Sequence, residues 1–468
     1  MTTQLVWFRN DLRLSDHGAL VAAAARGPVA ALFVLDDETP GHWRTGAAQR
    51  WWLHHSLASL SRSIAARGGR LILRRGRAGP IVRDLAQQLG ADVHTLEHRE
   101  PWARVQVAEA GAITHTGATL VPPDRVKSGS GGRYRIFTPW WNAVLKQLPP
   151  PRPVGVPDLR WADVAGVASD DLDAWGLLPA APDWSGGFGE WQPGEAGAAA
   201  RLADFTARAA RYDKARNLPG VEGSCRLSPH LALGEISPAA AWHQIADAVG
   251  QDAGEPWLRQ LGWRDFSVNI VDQFPDHGDA PNREAFARFP FRDDPHGLRA
   301  WQQGRTGYPI VDAGMRQLWT TGWMHNRVRM ITASFLVKHQ LIDWRHGERW
   351  FWDCLLDADY ANNAQGWQWV MGSGVDSSPF NRIFAPVGQS EKFDAAAYIR
   401  RWVPELAKLP DAAIHAPWEA GVALVRAGVK LGRDYPAPIV EHNEARARAL
   451  AAWAAVRGGE RAGGAFPL

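Results

Sequence analysis

Trp323, Asn326, Arg327 and Met330 fall at i, i+3, i+4 and i+7 in GWMHNRVRM, the spacing of one helix face. That face would carry an aromatic ring, an amide, a guanidinium and a thioether, an odd mixture for a core. It suits a pocket floor: the amide reads a polar edge, the guanidinium meets a phosphate, and the thioether packs on a ring. Gln260 and Trp263 share a face at i, i+3 in QLGWRDF. There an indole can stack on a flat ligand while the amide beside it hydrogen-bonds the ligand's edge.

In DADYANNAQGWQWV, Asp357 and Asp359 precede Asn363, and Trp367 and Trp369 follow. On a helix, residues two apart point about 200° from each other. One of the two indoles would line a cavity and the other would lead elsewhere. The acids have no metal-ligand spacing and no histidine partners, so no metal is expected; they read as hydrogen-bond partners for a ring and for arginine. In EGSCRLSP, Ser228 reads as an N-cap and Pro229 as the first helical residue. A Gly/Ser loop running into a helix N-terminus is an anion site, and Tyr212, one short helix earlier, could add a hydroxyl. No Ser-His-Asp, H-E-x-x-H or P-loop pattern supports hydrolytic or metal chemistry.

The surroundings of these residues are unusually aromatic. There are 25 tryptophans, and 13 of them follow residue 250, several beside Arg, Asn and Gln. Leu or Ile would fill a core without an indole N–H to satisfy. Interleaved indoles and amides suit a pocket that stacks flavins or nucleobases. Net charge is only +3, so a nucleic-acid site must be a local patch. Two cysteines, Cys225 and Cys354, make no disulfide framework and point to a reducing compartment. No apolar run reaches membrane-spanning length, and the N-terminus puts charges where a secretory signal needs an apolar stretch. The expectation is a cytoplasmic protein.

The elements that must position these residues divide by pattern. Residues 1–128 alternate apolar runs (Leu5–Phe8, Val29–Leu35, Leu71–Leu73, Val93–Leu96, Thr119–Val121) with helical stretches such as Trp51–Ala66 and Pro80–Leu89. This predicts an α/β domain on a parallel, Rossmann-like sheet. No G-x-G-x-x-G follows the first strand, so there is no dinucleotide motif. Residues 129–200, rich in Pro, Gly and Asp, predict an interdomain linker. Residues 201–468 predict an all-α domain.

Five segments carry a resemblance: VWFRNDLRLSD, EGSCRLSPHLALGEISP, WQQGRTGYPIVDAGMRQLWTTGWMHNRVRMITASFLVK, IDWRHGERWF and NNAQGWQWVMGSGVDSSPFNRIFAP. Together they resemble the photolyase/cryptochrome family over nearly the whole chain, most like a bacterial class I-type cyclobutane pyrimidine dimer (CPD) photolyase. The resemblance implies an N-terminal antenna domain, a linker and a helical domain binding FAD and DNA. It implies light-driven repair, in which FADH− donates an electron to a flipped-out pyrimidine dimer. A blue-light-sensing cryptochrome-like flavoprotein and a (6-4) photolyase are the alternatives. It further implies UV-damaged DNA as partner, no obligate protein partner, a monomer, and a second antenna chromophore of unassigned identity.

Residue by residue, the resemblance places Tyr212, Ser224, Cys225, Leu227 and Ser228 at the FAD phosphates. Asn326, Arg329, Asp357, Asp359 and Asn363 lie around the isoalloxazine, with Asn363 near N5. Gln260, Trp263, Asn326, Arg327, Met330 and Trp369 belong to the lesion pocket and its phosphate contacts, Trp263 also facing the cofactor. Trp367 and Trp344 are the first two stations of an electron-hopping chain. Three positions depart from the family pattern. Gln260 stands where CPD photolyases commonly have Glu. Phe291 replaces the surface tryptophan of the chain, with Trp301, then Trp350 and Trp352, as substitutes. Pro101 replaces a folate-contacting Glu.

Overall fold

The computed structural model describes residues 2–462. It divides into two compact units. The first comprises Met1–Ala210, Cys225–Pro275 and Leu356–Ala361; the second comprises Arg211–Ser224, Asp276–Leu355 and Asn362–Leu468.

In the first unit five strands form one parallel sheet: β1 (Thr3–Phe8), β2 (Val29–Leu35), β3 (Leu71–Arg75), β4 (Ala91–Leu96) and β5 (Ile113–His115). Their order is β3-β2-β1-β4-β5. Every residue of β2 (VAALFVL) is buried, as expected of a parallel strand covered on both faces. The crossovers contain α1 (Gly18–Ala24), α2 (Ala47–Ala65), α3 (Ala78–Leu89) and α4 (Pro101–Ala110). Leu5, Trp7, Leu32 and Ile72 of the sheet cluster with Val82 and Leu85 of α3.

Four of the five expected strands lie where the apolar runs predict them. The fifth does not: β5 is Ile113–His115, paired with His94–Leu96 of β4, and Thr119–Val121 is irregular. Side chains occupy the backbone there. The Asp265 carboxylate accepts from the Leu120 amide at 2.6 Å, and Arg264 donates to the Ala118 carbonyl at 2.8 Å. Groups satisfied in this way have no need of a strand partner.

The stretch 129–200 is mostly irregular but contains α5 (Phe137–Leu145), followed by α6 (Glu195–Thr206). Helices then dominate: α7 (Tyr212–Ala215), α8 (Ser228–Ala232), α9 (Pro238–Val249), α10 (Gln251–Gln273), α11 (Pro295–Gln302), α12 (Pro309–Thr321), α13 (Asn326–Ser334), α14 (Trp344–Cys354) and α15 (Tyr360–Met371). A π-helical turn, Phe335–His339, continues α13. Among the described residues the second unit contains no strand. Among the described residues no helix is long and apolar enough to cross a membrane.

Candidate active site for a flavin and damaged DNA

The expected site residues fall in both units. The first holds Cys225, Leu227, Ser228, Gln260, Trp263, Asp357 and Asp359. The second holds Tyr212, Ser224, Asn326, Arg327, Arg329, Met330, Trp344, Asn363, Trp367 and Trp369.

In the first unit, Gln260 and Trp263 share a face of α10, half-buried, as the spacing predicts. Trp263 stacks on Phe137 of α5 with ring centroids 3.5 Å apart and planes 6° from parallel. Phe137 is itself covered by the Arg259 guanidinium. One face of the indole is therefore already filled and the ring is held flat. The Gln260 amide nitrogen donates to its own helix at the Pro256 carbonyl, 2.9 Å away. Asp359 lines a small polar cavity with Asn10, Glu97, His98, Glu100 and Arg264. This cavity lies beyond the carboxyl ends of β1 and β4, where the strand order reverses and α/β sheets open a crevice.

The expected cap at Ser228 is not formed. The N-cap of α8 is Leu227, no side chain caps it, and Ser228 is already helical. Arg226 takes a left-handed φ of 54° just before and ties its guanidinium to Glu190 and to the face of Trp191. The chain thus turns into α8 by backbone geometry. Cys225 is buried, and burial pushes its thiol up to about 12, so it is a neutral group.

In the second unit, the four-residue face shortens to three. Gly322, at φ 65°, ends α12, and His325 caps α13 by accepting from the Arg327 amide. Trp323 lies before the helix, and only Asn326, Arg327 and Met330 belong to it. Asn326 is exposed, while Arg327 and Met330 are half-buried. Arg327 donates to Asn217 at 2.5 Å, lies over the Phe393 ring, and has its pKa lowered by burial and by Arg216 and Arg382. His325 is pushed down to about 4, first by burial and then by Arg327, Arg329 and Arg216. Three guanidiniums, those of Arg216, Arg327 and Arg329, thus act on one neutral imidazole, and Arg382 acts on Arg327, a patch suited to a polyanion. Arg329 lies over Trp323 and donates to the Met324 carbonyl.

On α15, Trp367 is buried and Trp369 half-exposed, so the two indoles diverge as expected. Trp367 has Phe351 at 5.0 Å and Trp301 at 6.1 Å, both edge-on. Gly347 of α14 lets Trp367 approach, since a Cβ there would overlap its ring. The Asn363 amide nitrogen donates to the Glu348 main-chain carbonyl at 3.1 Å. Behind α15, His277 bonds Gln365 and Gln368, and Gln368 also donates to the carbonyls of His277 and Ala280. Sequence reasoning missed Phe137, Arg216, His277 and Glu348. For Glu348 a signal existed: Trp344, Gly347, Glu348, Phe351 and Trp352 form a helical stripe in which one position is an acid.

A family model described as DNA photolyase matches residues 4–158, and one described as the FAD binding domain of DNA photolyase matches residues 257–455. A deoxyribodipyrimidine photo-lyase of Agrobacterium fabrum is 46% identical over 471 residues, spanning 97% of this chain and 98% of that protein. The chain belongs to the DNA photolyase family. The photolyase also matches the crystal structure of a bacterial class III photolyase from Agrobacterium tumefaciens, with a TM-score of 0.92, 46% identity and 98% of both chains covered. That relative leaves the class I-type expectation unconfirmed. Cryptochrome-1 of Arabidopsis thaliana is 37% identical, over 95% of this chain and 69% of that protein.

The cofactor of the photolyase is FAD. Its residues fit the group. The amide of Asn363 is turned by Glu348, which leaves its oxygen as the atom offered to a ligand. Among the described residues no cluster of His, Cys, Asp or Glu could hold a metal ion instead.

Proposed function

We propose that this photolyase splits cyclobutane pyrimidine dimers in UV-damaged DNA under blue light. The observation that carries the reading is the Trp263 platform: an indole held flat on one face by Phe137 and available to a flat ligand on the other. A dimer pairs and stacks poorly, so flipping it out costs less than flipping a normal base. Trp263 and Trp369 stack on the flipped dimer, and Met330 packs against it. Asn326 hydrogen-bonds its edge, and Arg327 meets the flanking phosphate. FAD, when bound in its reduced form, would supply the electron chemistry that opens the cyclobutane ring. Asn363 would accept a hydrogen bond from flavin N5, and Arg329, Asp357 and Asp359 would hold the ring. Tyr212, Ser224, Cys225, Leu227 and Ser228 hold the FAD phosphates.

The domain boundaries proposed are 1–128, 129–200 and 201–468. The protein acts as a cytoplasmic monomer without an obligate protein partner. A second, light-harvesting chromophore is proposed without identity; Pro101, the first residue of α4, gives no support for folate. The test is chromatography of irradiated oligonucleotides after blue light. The expected result is repair of thymine CPDs and none of (6-4) products. Repair of (6-4) products alone would show that Gln260 outweighs Met330, and a flavin-loaded protein with no repair would favour the cryptochrome-like reading.

A further inference from the structure

Glu348 sits on the apolar stripe of α14, fully buried. Neither of its carboxylate oxygens has a hydrogen-bond partner. An ionised carboxylate in such a place is costly to desolvate, and the group avoids the cost by keeping its proton. The charges around it do not reverse this. Asp279 on the neighbouring loop and Asp343 at the helix start both favour the neutral form, while Arg345 and Arg349 oppose it. Arg345 is already committed, paired with Asp343 and donating to the Asp279 carbonyl. Burial, the largest cause, holds the acid well above its ordinary 4.5.

The same residue touches the flavin site through its backbone. The Glu348 carbonyl accepts from Asn363 Nδ2 at 3.1 Å. A carbonyl oxygen can only accept, so this bond fixes which end of the amide is the nitrogen. The oxygen of Asn363 is left for a ligand. An unpaired buried acid is costly, because its oxygens lose water and gain no partner. Proteins keep such groups where they serve a site.

We propose that Glu348 is a positioning residue of the flavin site: its main-chain carbonyl turns Asn363, and its side chain, as a neutral acid, keeps the wall behind that amide uncharged. The proposal rests on Asn363 facing flavin N5. Bound FADH− is an anion. A proton kept on Glu348 spares it a like charge, and loss of that proton would disfavour it. The sign for stability follows. The native state holds a proton that the unfolded chain releases above 4.5. Stability from this group therefore falls as pH rises from there toward the folded value.

The experiment compares the full-length protein with Glu348→Gln, which keeps shape and neutrality but has no proton to lose. Infrared spectra of flavin-free protein at neutral pH should show a protonated carboxylic-acid band that the variant lacks. With flavin bound, raising the pH should lower the midpoint potential of wild type more steeply than that of Glu348→Gln, and the variant should retain FAD. Glu348→Ala, which opens a cavity beside Asn363, should retain less FAD than Glu348→Gln. Absence of the acid band in wild type, or equal pH slopes in the two proteins, would overturn the proposal. Wild type that folds but binds no FAD would overturn the flavin reading of Asn363 instead, and the infrared band would still decide the state of Glu348.

Discussion

Trp263 can stack a ligand on one side only, because Phe137 fills the other. Trp263→Ala should weaken binding of CPD-containing DNA by about 1–3 kcal/mol, the range for one lost base–aromatic stack. Phe137→Ala should weaken it less, by freeing the indole without removing it. Equal losses in the two variants would mean that Trp263 is structural. Arg327 belongs to a cluster with Arg216 and Arg329 around His325, and Arg382 acts on Arg327 itself. Arg327→Ala should weaken binding and make the salt dependence shallower, since one phosphate contact fewer releases fewer counterions. Unchanged affinity and unchanged slope would remove Arg327 from the DNA site. The residue types at these positions were legible in the sequence. Their second contacts were not: Phe137 is 126 positions from Trp263, and nothing local links them.

At the scale of elements, the packing bears on the proposed electron relay. Phe291, harder to oxidise than an indole, packs on Phe289. Trp301, the first substitute expected from sequence, neighbours Trp367 but is completely buried, with its N–H on the Thr332 carbonyl. A buried ring cannot pass the hole to an external reductant. The exposed candidate is Trp319 of α12, 56% exposed and stacked on Trp350 of α14 at 5.9 Å. Trp350 lies six residues from Trp344 on one helix, about 9 Å along its axis. Trp319→Phe and Trp350→Phe should each slow steady blue-light photoreduction of FAD severalfold, and Trp301→Phe should leave it nearly unchanged. The reverse pattern would make Trp301 the outlet after all. Repair by pre-reduced protein should survive all three, because the relay only regenerates FADH−.

The segment replacing the expected fifth strand hangs on Asp265, which burial pushes up to about 7. Its proton is held in the native state and released in the unfolded chain above 3.8. Stability from this group should fall as pH climbs from there to about 7, and Asp265→Asn should flatten that slope. Asp265→Ala, leaving the Leu120 amide unpaired, should cost about 1–3 kcal/mol in urea unfolding. A loss near zero would show that water replaces the carboxylate.

At the scale of the molecule, the chain leaves its first unit and returns to it twice. Residues 225–275 contribute α10 to the unit that holds the sheet. Asp272 of α10 pairs with Arg99, Arg104 and Arg133. Glu235 accepts from the Trp52 indole and the Gly194 amide and meets His230. A fragment ending at residue 200 would lose all these partners and uncover Phe137. It should lack a cooperative unfolding transition, although its sheet sequence is intact. A sharp melt with native near-UV circular dichroism would show that residues 1–200 fold alone.

The sequence by itself determined what repeats locally. Apolar runs with short helical crossovers specified the parallel sheet, because strand and helix periods are properties of neighbouring residues. The spacing of Gln260 with Trp263, and of Asn326 with Arg327 and Met330, placed each set on one helix face for the same reason. The resemblance to family motifs then implied which residues would serve flavin and lesion. Only the tertiary structure decided what depends on distant partners. It moved the fifth strand to Ile113–His115, where Asp265 had taken the backbone of Thr119–Val121. It removed Trp323 from its helix, where Gly322 and His325 break the chain. It buried Glu348 beside Asn363, fifteen residues on, because burial and charge pairing are set by which elements meet in space.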